Sequence, residues 1–237
     1  MSVRITSVDK GSPADKARIK AGESLVSING NAIHDILDYQ FYASDKKLVI
    51  ELEDKTVKVR KGEYDDLGLN FETYLMDCKQ HCKNNCVFCF INQLPKGMRE
   101  TLYFKDDDSR LSFLQGNFVT LTNLSDEDVQ NVIDRNMSPM NVSVHAVSPD
   151  VRRRMMGRNA QRGMDVLEAI MAAGIEIHAQ IVLCPGMNDG EELQKTLRFC
   201  EEHEQITSLG IVPLGFTKHQ NRFSWSYSDK PELARET

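Results

Sequence analysis

The chain has 237 residues, 41% of them hydrophobic and 27% charged, with a net charge of -6. That usage is ordinary for a soluble globular protein of one large or two smaller domains, and it excludes disordered and fibrous classes. The acidic balance argues against a nucleic-acid partner, whose phosphates would be met by an excess of Lys and Arg; Arg152, Arg153 and Arg154 form the one local basic run considered.

In chain order, MSVRITSV opens with alternating apolar and polar residues, which predicts a strand and no signal peptide. No later window approaches the roughly 18 apolar residues of a membrane span. The expectation is a cytoplasmic protein without a membrane partner. Residues 3–8 form the first strand, Gly11 to Ala14 a turn, residues 15–20 a short helix, and residues 24–28 a strand ending in an Asn29-Gly30 turn. A short helix over 34–43 and alternating strands at 48–53 and 56–60 complete a small, mostly β module, residues 1–63. Gly11 to Ala14, Gly22 and Ile28 to Gly30 give this module a resemblance to a bacterial PDZ domain. The resemblance implies a peptide or protein partner added as a strand beside a sheet edge. No Gly-Leu-Gly-Phe-like carboxylate loop precedes the first strand, so capture of a free C-terminus does not follow.

After the polar stretch 61–68 the pattern changes to apolar strands alternating with amphipathic helices, the signature of βαβ units and a parallel sheet. A strand at 69–75 leads into a loop holding Cys82, Cys86 and Cys89, then a helix over 86–94 and a short strand near Tyr103. A strand at 117–123 precedes a helix over 126–136, with Ser125 as its N-cap and Asp128 three residues on. Next come a strand at 140–147, a helix over 162–173 closed by Gly174, a strand at 175–184, a helix over 190–203 and a strand at 208–215. Joined in the right-handed sense, these units make residues 64–237 a partial, TIM-like (β/α)6 barrel. At its C-terminal strand ends it would present Thr122 and Asn123, Ser143 and His145, Gln180, and the turn from Pro185 to Asn188.

Cys82, Cys86 and Cys89 have the spacing C-x3-C-x2-C, so one short loop can wrap three corners of a cubane cluster. A conventional electron-transfer cluster takes four thiolates. Three leave one iron with an open position, which a metal needs in order to bind and activate a substrate. Two closed alternatives stay open: a zinc site completed by Cys78 or His81 in a non-catalytic binding protein, and an electron carrier that enlists Cys78 as a fourth thiolate. Cys184 and Cys200 fall in an apolar strand and a helix, where cysteine is a small buried hydrophobe. Asp106, Asp107 and Asp108 read as a solvated turn, Met155 and Met156 as core or loop packing, and His34, His178, His203 and His219 as surface or structural groups.

With Phe88 just before the last cysteine, the series resembles the radical S-adenosylmethionine superfamily, and the likeness extends over residues 65–222. The resemblance implies a [4Fe-4S] cluster on Cys82, Cys86 and Cys89 whose open iron chelates S-adenosylmethionine. It further implies reductive cleavage to methionine and a 5'-deoxyadenosyl radical, and an electron donor such as a flavodoxin or ferredoxin. Carried over by position, Thr122 and Asn123 match the third-strand Thr-Asn element, Ser143 and His145 lie near the ribose or carboxylate, Gln180 near the ribose, and Phe88 with the backbone around Val212 near adenine. The second-strand Gly-Gly-Glu element is not recognisable, and Asp106 to Asp108 stand in its place. Residues 89–124, behind a PDZ-like module, also resemble a family of uncharacterised bacterial radical S-adenosylmethionine proteins that continue into a further C-terminal domain. A fragment lacking that domain is therefore expected, with no substrate implied.

Overall fold

In the computed structural model, which describes residues 2–73, 75–76 and 78–236, the alternating N-terminal segment is strand β1 (Val3–Val8), followed by the Ser12-capped helix α1 (Pro13–Lys16). β2 (Ser24–Ile28) returns as β3 (Asn31–Ala32) through Asn29 and Gly30, at φ 53° and 81°, the left-handed pair that a two-residue hairpin demands and Asn-Gly tolerates best. Helix α2 (Ile36–Tyr42), capped by Asp35, and strands β4 (Lys47–Leu52) and β5 (Thr56–Arg60) follow. The antiparallel sheet β5-β4-β2-β1 buries Ile5, Leu25, Ile28, Leu48 and Ile50 in one core; Leu48, Ile50 and Leu52 are the inward set of a period-2 pattern in β4, while a register shift between Leu25 and Ser27 interrupts the alternation in β2.

The segment expected to open the second module belongs to this sheet instead. β6 (Leu69–Phe71) runs antiparallel to β1, with Val8 opposite Leu69 and Ile5 opposite Phe71. Its side chains explain the correction: Leu69 joins the first core, and Phe71 meets Tyr39 of α2 edge-on at 5.1 Å. The chain accordingly divides after Lys79, later than residue 63, into Met1–Lys79 and Gln80–Thr237. Tyr74, within the expected strand, lies outside the described residues.

The second unit is built on three parallel strands in the order β7 (Met140–Ser143), β8 (Ile177–Leu183), β9 (Ile206–Pro213). Helices α3 (Ser109–Gln115) and α4 (Asp126–Asp134) precede them. Helices α5 (Pro149–Met156) and α6 (Ala160–Ala172) link β7 to β8, α7 (Gly190–Glu202) links β8 to β9, and α8 (Pro231–Glu236) ends the chain. The expected capping box forms at Ser125 and Asp128, and Gly174 stands just past α6 at φ 85°. Along β8, Ile177, Ala179, Ile181 and Leu183 are buried, and the last pair packs with Leu193 and Leu197 of α7, while His178, Gln180 and Val182 line a half-open face.

Among the described residues the parallel sheet has three strands, so a full six-stranded barrel is not shown. Residues 117–123 contribute a single parallel bridge, Val119 to Val142, because Thr120 donates its N–H to the Asp107 carboxylate at 2.6 Å instead of to a neighbouring strand. The helix expected over 86–94 shrinks to one 3-10 turn, Ile91–Gln93, and the strand near Tyr103 is another, Glu100–Tyr103. Among the described residues, no helix is long and apolar enough to cross a membrane.

Candidate functional site

The cysteine loop has almost no regular structure of its own and is held by hydrogen bonds to four separate segments. Cys82 N donates to Lys105 O at 2.8 Å, and Asn84 donates from its carboxamide to the hydroxyls of Thr120 and Thr122 at 2.9 and 2.8 Å. Asn85 N and Val87 N donate to Met156 O and Met155 O, the last turn of α5, at 3.1 and 2.8 Å. Past the third cysteine, the buried Gln93 donates to Gly215 O at 3.3 Å and accepts from Thr217 N at 2.8 Å. Backbone groups that cannot pair in a helix or ladder are thus satisfied elsewhere, and the loop is fixed without regular structure.

The loop packs on the ends of the parallel strands. Cys86 clusters with Ala146, Cys184 and Leu214, the residues just beyond β7, β8 and β9, and Phe88 and Cys89 pack against the same cluster. The carboxyl ends of parallel strands are where α/β folds collect ligands.

Burial pushes the Cys82 thiol up to about 11 and the Cys86 thiol up to about 12. The charges of Asp107 and Cys89 add to the first, and those of Cys82, Cys89 and Asp107 to the second. Cys82 and Cys86 both feel Cys89, and Cys86 feels Cys82, so the three sulfurs are neighbours, and thiolates gathered there would call for cationic charge among them, as in metal coordination, which deprotonates a thiol outright. The donor set therefore fits a thiolate-ligated cluster. Among the described residues, no three His, Cys, Asp or Glu side chains converge to hold a single metal ion, and that holds for Cys82, Cys86 and Cys89 as well as for a set completed by Cys78 or His81. His81 is exposed, with its ring edge-on to Phe104 at 5.3 Å, and Cys78 is exposed.

Asp106 to Asp108 are not a solvated turn. Asp108, 0% exposed, caps α3 and pairs with Arg110 at 2.8 Å. Burial raises its carboxyl, but Arg110 and the Gln80 N–H outweigh that and hold it below its ordinary range. Asp107, 3% exposed, accepts from Thr120 N and Oγ1 at 2.6 Å each and from Asn123 Nδ2 at 2.9 Å, and its charge acts on the Cys82 thiol. Burial keeps this carboxyl raised despite those partners.

Thr122 and Asn123 serve the same bracing: Thr122 holds Asn84, and Asn123 donates to His81 O at 3.1 Å. His145, 3% exposed and at φ 62°, accepts from Val182 N on Nδ1 at 3.1 Å, while its ring lies tilted against Phe88 with centroids 4.6 Å apart. Burial, with help from Arg152, pushes its imidazole down to about 3, so it is neutral. Ser143 and Gln180 lie opposite each other in the β7/β8 register, the first buried and the second half-buried, and Val212 is exposed on β9 opposite Val182. The structure thus gathers the cysteines, Phe88, Thr122, Asn123 and His145 around one loop and leaves Ser143, Gln180 and Val212 on the strands.

Sequence reasoning misses Asn84, Gln93, Arg152 and Glu192. Buried Glu192 accepts from Val147 N, Ser148 N and Ser148 Oγ at 3.1, 2.8 and 2.5 Å, fastening the start of α5 from α7. Arg152 had a signal that pointed the wrong way: it belongs to the basic run, yet only Arg153 and Arg154 of that run are exposed.

A thiol-rich loop at the carboxyl end of a parallel sheet, in a chain that also carries a small antiparallel module, defines a two-domain α/β protein with a cysteine-rich candidate site. A family model described as a Radical SAM-like domain matches residues 61–209, more than half of the chain, and a PDZ domain model matches residues 4–54. The chain belongs to the radical SAM-like family and carries its PDZ domain at the N-terminus, in the order expected. No curated protein matches it.

Proposed function

We propose that the chain is a radical S-adenosylmethionine enzyme in which Cys82, Cys86 and Cys89 hold a [4Fe-4S] cluster and leave its fourth iron to the cofactor. When bound, that cluster supplies the electron that cleaves S-adenosylmethionine to methionine and a 5'-deoxyadenosyl radical for hydrogen abstraction. The carrying observation is the cluster of Cys86, Phe88 and Cys89 with Ala146, Cys184 and Leu214, at the ends of all three parallel strands. The family membership supports the same reading.

The protein's own part is positioning and exclusion of water. Asn84 pins the loop between Cys82 and Cys86, Gln93 pins it beyond Cys89, and Asp107 braces the Thr120 and Asn123 that hold it. With both carboxylate oxygens engaged, Asp107 is a brace, which leaves the amino group of the cofactor to another donor set. Met155, Met156 and Leu214 supply an apolar floor, and neutral His145 backs Phe88 as a wall for adenine. Ser143 and Gln180 offer polar groups toward the ribose, and Val212 its backbone. We read the parallel strands, extended by the Val119 bridge, as the core of a partial (β/α)6 barrel.

The reaction needs a one-electron donor of low potential, a flavodoxin or ferredoxin by class, and six cysteines, four of them within residues 78–89, suit a reducing cytoplasm that keeps thiols available as ligands. A peptide partner for the PDZ domain is supported by β6, an edge strand of the sheet, where Gly68, Leu69, Asn70 and Phe71 place a Gly-Leu-x-Phe segment beside β1 from later in the chain. The decisive experiment is anaerobic reconstitution of the full chain with ferrous iron and sulfide. Labile sulfide and release of 5'-deoxyadenosine with S-adenosylmethionine and reductant are expected, both lost with alanine at any of the three cysteines. Protein that takes up one zinc ion and no labile sulfide would overturn the proposal.

A further inference from the structure

Arg152 is 1% exposed, and among the described residues it makes no ion pair. Its guanidinium donates only to carbonyls: Nη1 to Val144 O and to Ala146 O at 2.9 Å, Nε and Nη2 to Ala160 O at 3.0 and 2.9 Å. A buried cation without a counter-charge costs several kcal/mol, and carbonyl dipoles offset only part of that. The groups beside it that metal binding would make anionic are the thiols. Arg152 lies one turn before Met155 and Met156, whose carbonyls hold Val87 N and Asn85 N on either side of Cys86. Two of its carbonyl partners, Ala146 and Ala160, sit in the same packed cluster as Cys86. Burial draws the guanidinium down to about 10, and the first charge that pulls it back up is Cys86, ahead of Asp165.

We propose that Arg152 is the built-in counter-cation of the three-thiolate site, a positioning residue that raises the reduction potential of the cluster held there. The inference rests on the cluster reading above. Accepting one electron from a low-potential reductant adds one unit of negative charge at the site, with no proton or bond change. A fixed positive charge nearby stabilises that reduced state more than the oxidised one.

The test uses the full chain, reconstituted anaerobically, as wild type, Arg152→Lys, Arg152→Gln and Arg152→Met, with Arg153→Gln as a surface control. Iron and labile sulfide are measured first, and then each midpoint potential by titration with titanium(III) citrate, read from the paramagnetic signal of the reduced cluster. Wild-type protein without labile sulfide sinks the cluster reading itself, before any Arg152 variant is compared. With the cluster present, Gln and Met are expected to shift the reduction equilibrium at least tenfold toward the oxidised form, about 59 mV for one electron, at unchanged iron and sulfide. Lys keeps the charge while losing the planar fork, so it should stay within threefold of wild type although it unfolds at lower temperature. Neutral variants at the wild-type potential overturn the proposal. If they do not fold, Lys decides alone: an unchanged potential supports the charge role, and a tenfold shift refutes it.

Discussion

Replacing His145 by Asn should flatten the acid side of the stability curve. In an unfolded chain histidine binds a proton near 6.5, whereas burial and the Arg152 charge push His145 down to about 3 in the fold. The neighbours on β8 and the loop, Val182 N–H and the Phe88 ring, do not titrate, and protonation would also remove the acceptor that Nδ1 offers to Val182. The folded value lies below the unfolded one, so this contribution is fully present above about 6.5 and is lost progressively as pH falls toward about 3. One unit of separation is worth about 1.4 kcal/mol, so moving from about pH 7 to about pH 5 removes about 2 kcal/mol from a total of roughly 5–15. Asn has no proton to gain and accepts the left-handed φ of 62° better than most residues. Urea denaturation of the metal-free protein across that window measures both slopes, and stopping at about pH 5 keeps ordinary carboxylates mostly ionised. Wild type should lose about 2 kcal/mol more than His145→Asn. Equal losses would refute a neutral, buried imidazole.

Two further substitutions probe the site from opposite sides. At Gly163 in α6 an added Cβ would stand 2.5 Å from the Thr120 carbonyl oxygen and 3.1 Å from the Arg152 guanidinium. Gly163→Ala would gain up to about 1 kcal/mol of helix propensity but lose about 1–3 to overpacking, so a net loss in calorimetry is expected, with weaker iron uptake because Thr120 braces both Asp107 and Asn84. A variant as stable as wild type refutes that close approach. Cys78→Ala should leave iron and sulfide content unchanged in the reconstituted chain; loss of either restores the four-thiolate carrier.

What could be read in the sequence was local. The Asn29-Gly30 hairpin, the Ser125 box and the cysteine spacing are each written within a few residues, and each appears as expected or, for the thiols, in one neighbourhood. Strand β6 was not legible, because its alternation says that one face is buried and nothing about which sheet buries it; its partner β1 lies 64 residues away, as in the bond from Thr6 Oγ1 to Asn70 O. Residues 117–123 misled for a related reason. Two threonines alternating with Val119 and Leu121 look like a strand, but their hydroxyls serve Asn84 and Asp107, polar partners 36 and 13 positions from Thr120. The same holds for Asp107 and Asp108: an acidic run is solvated unless distant donors meet it.

Arg152 and His145 show how one buried environment sorts two basic groups by chemistry. Burial disfavours both cations, and near neutral pH the outcome depends on how far each starts from it. Histidine begins near neutrality and is driven to about 3, so it gives up its proton and becomes a hydrogen-bond acceptor for Val182. Arginine, driven only to about 10, keeps its charge at a place where a solvated Lys or Arg would have been the bland expectation. The region behind the cysteine loop therefore carries one fixed positive charge from Arg152. Exchanging the two roles would not be neutral, because an arginine at 145 would bring a second cation and no acceptor for Val182 N–H. The distribution of charge around the thiols follows from burial acting on ordinary proton affinities, and it becomes visible only once the fold shows which of three consecutive arginines is turned inward.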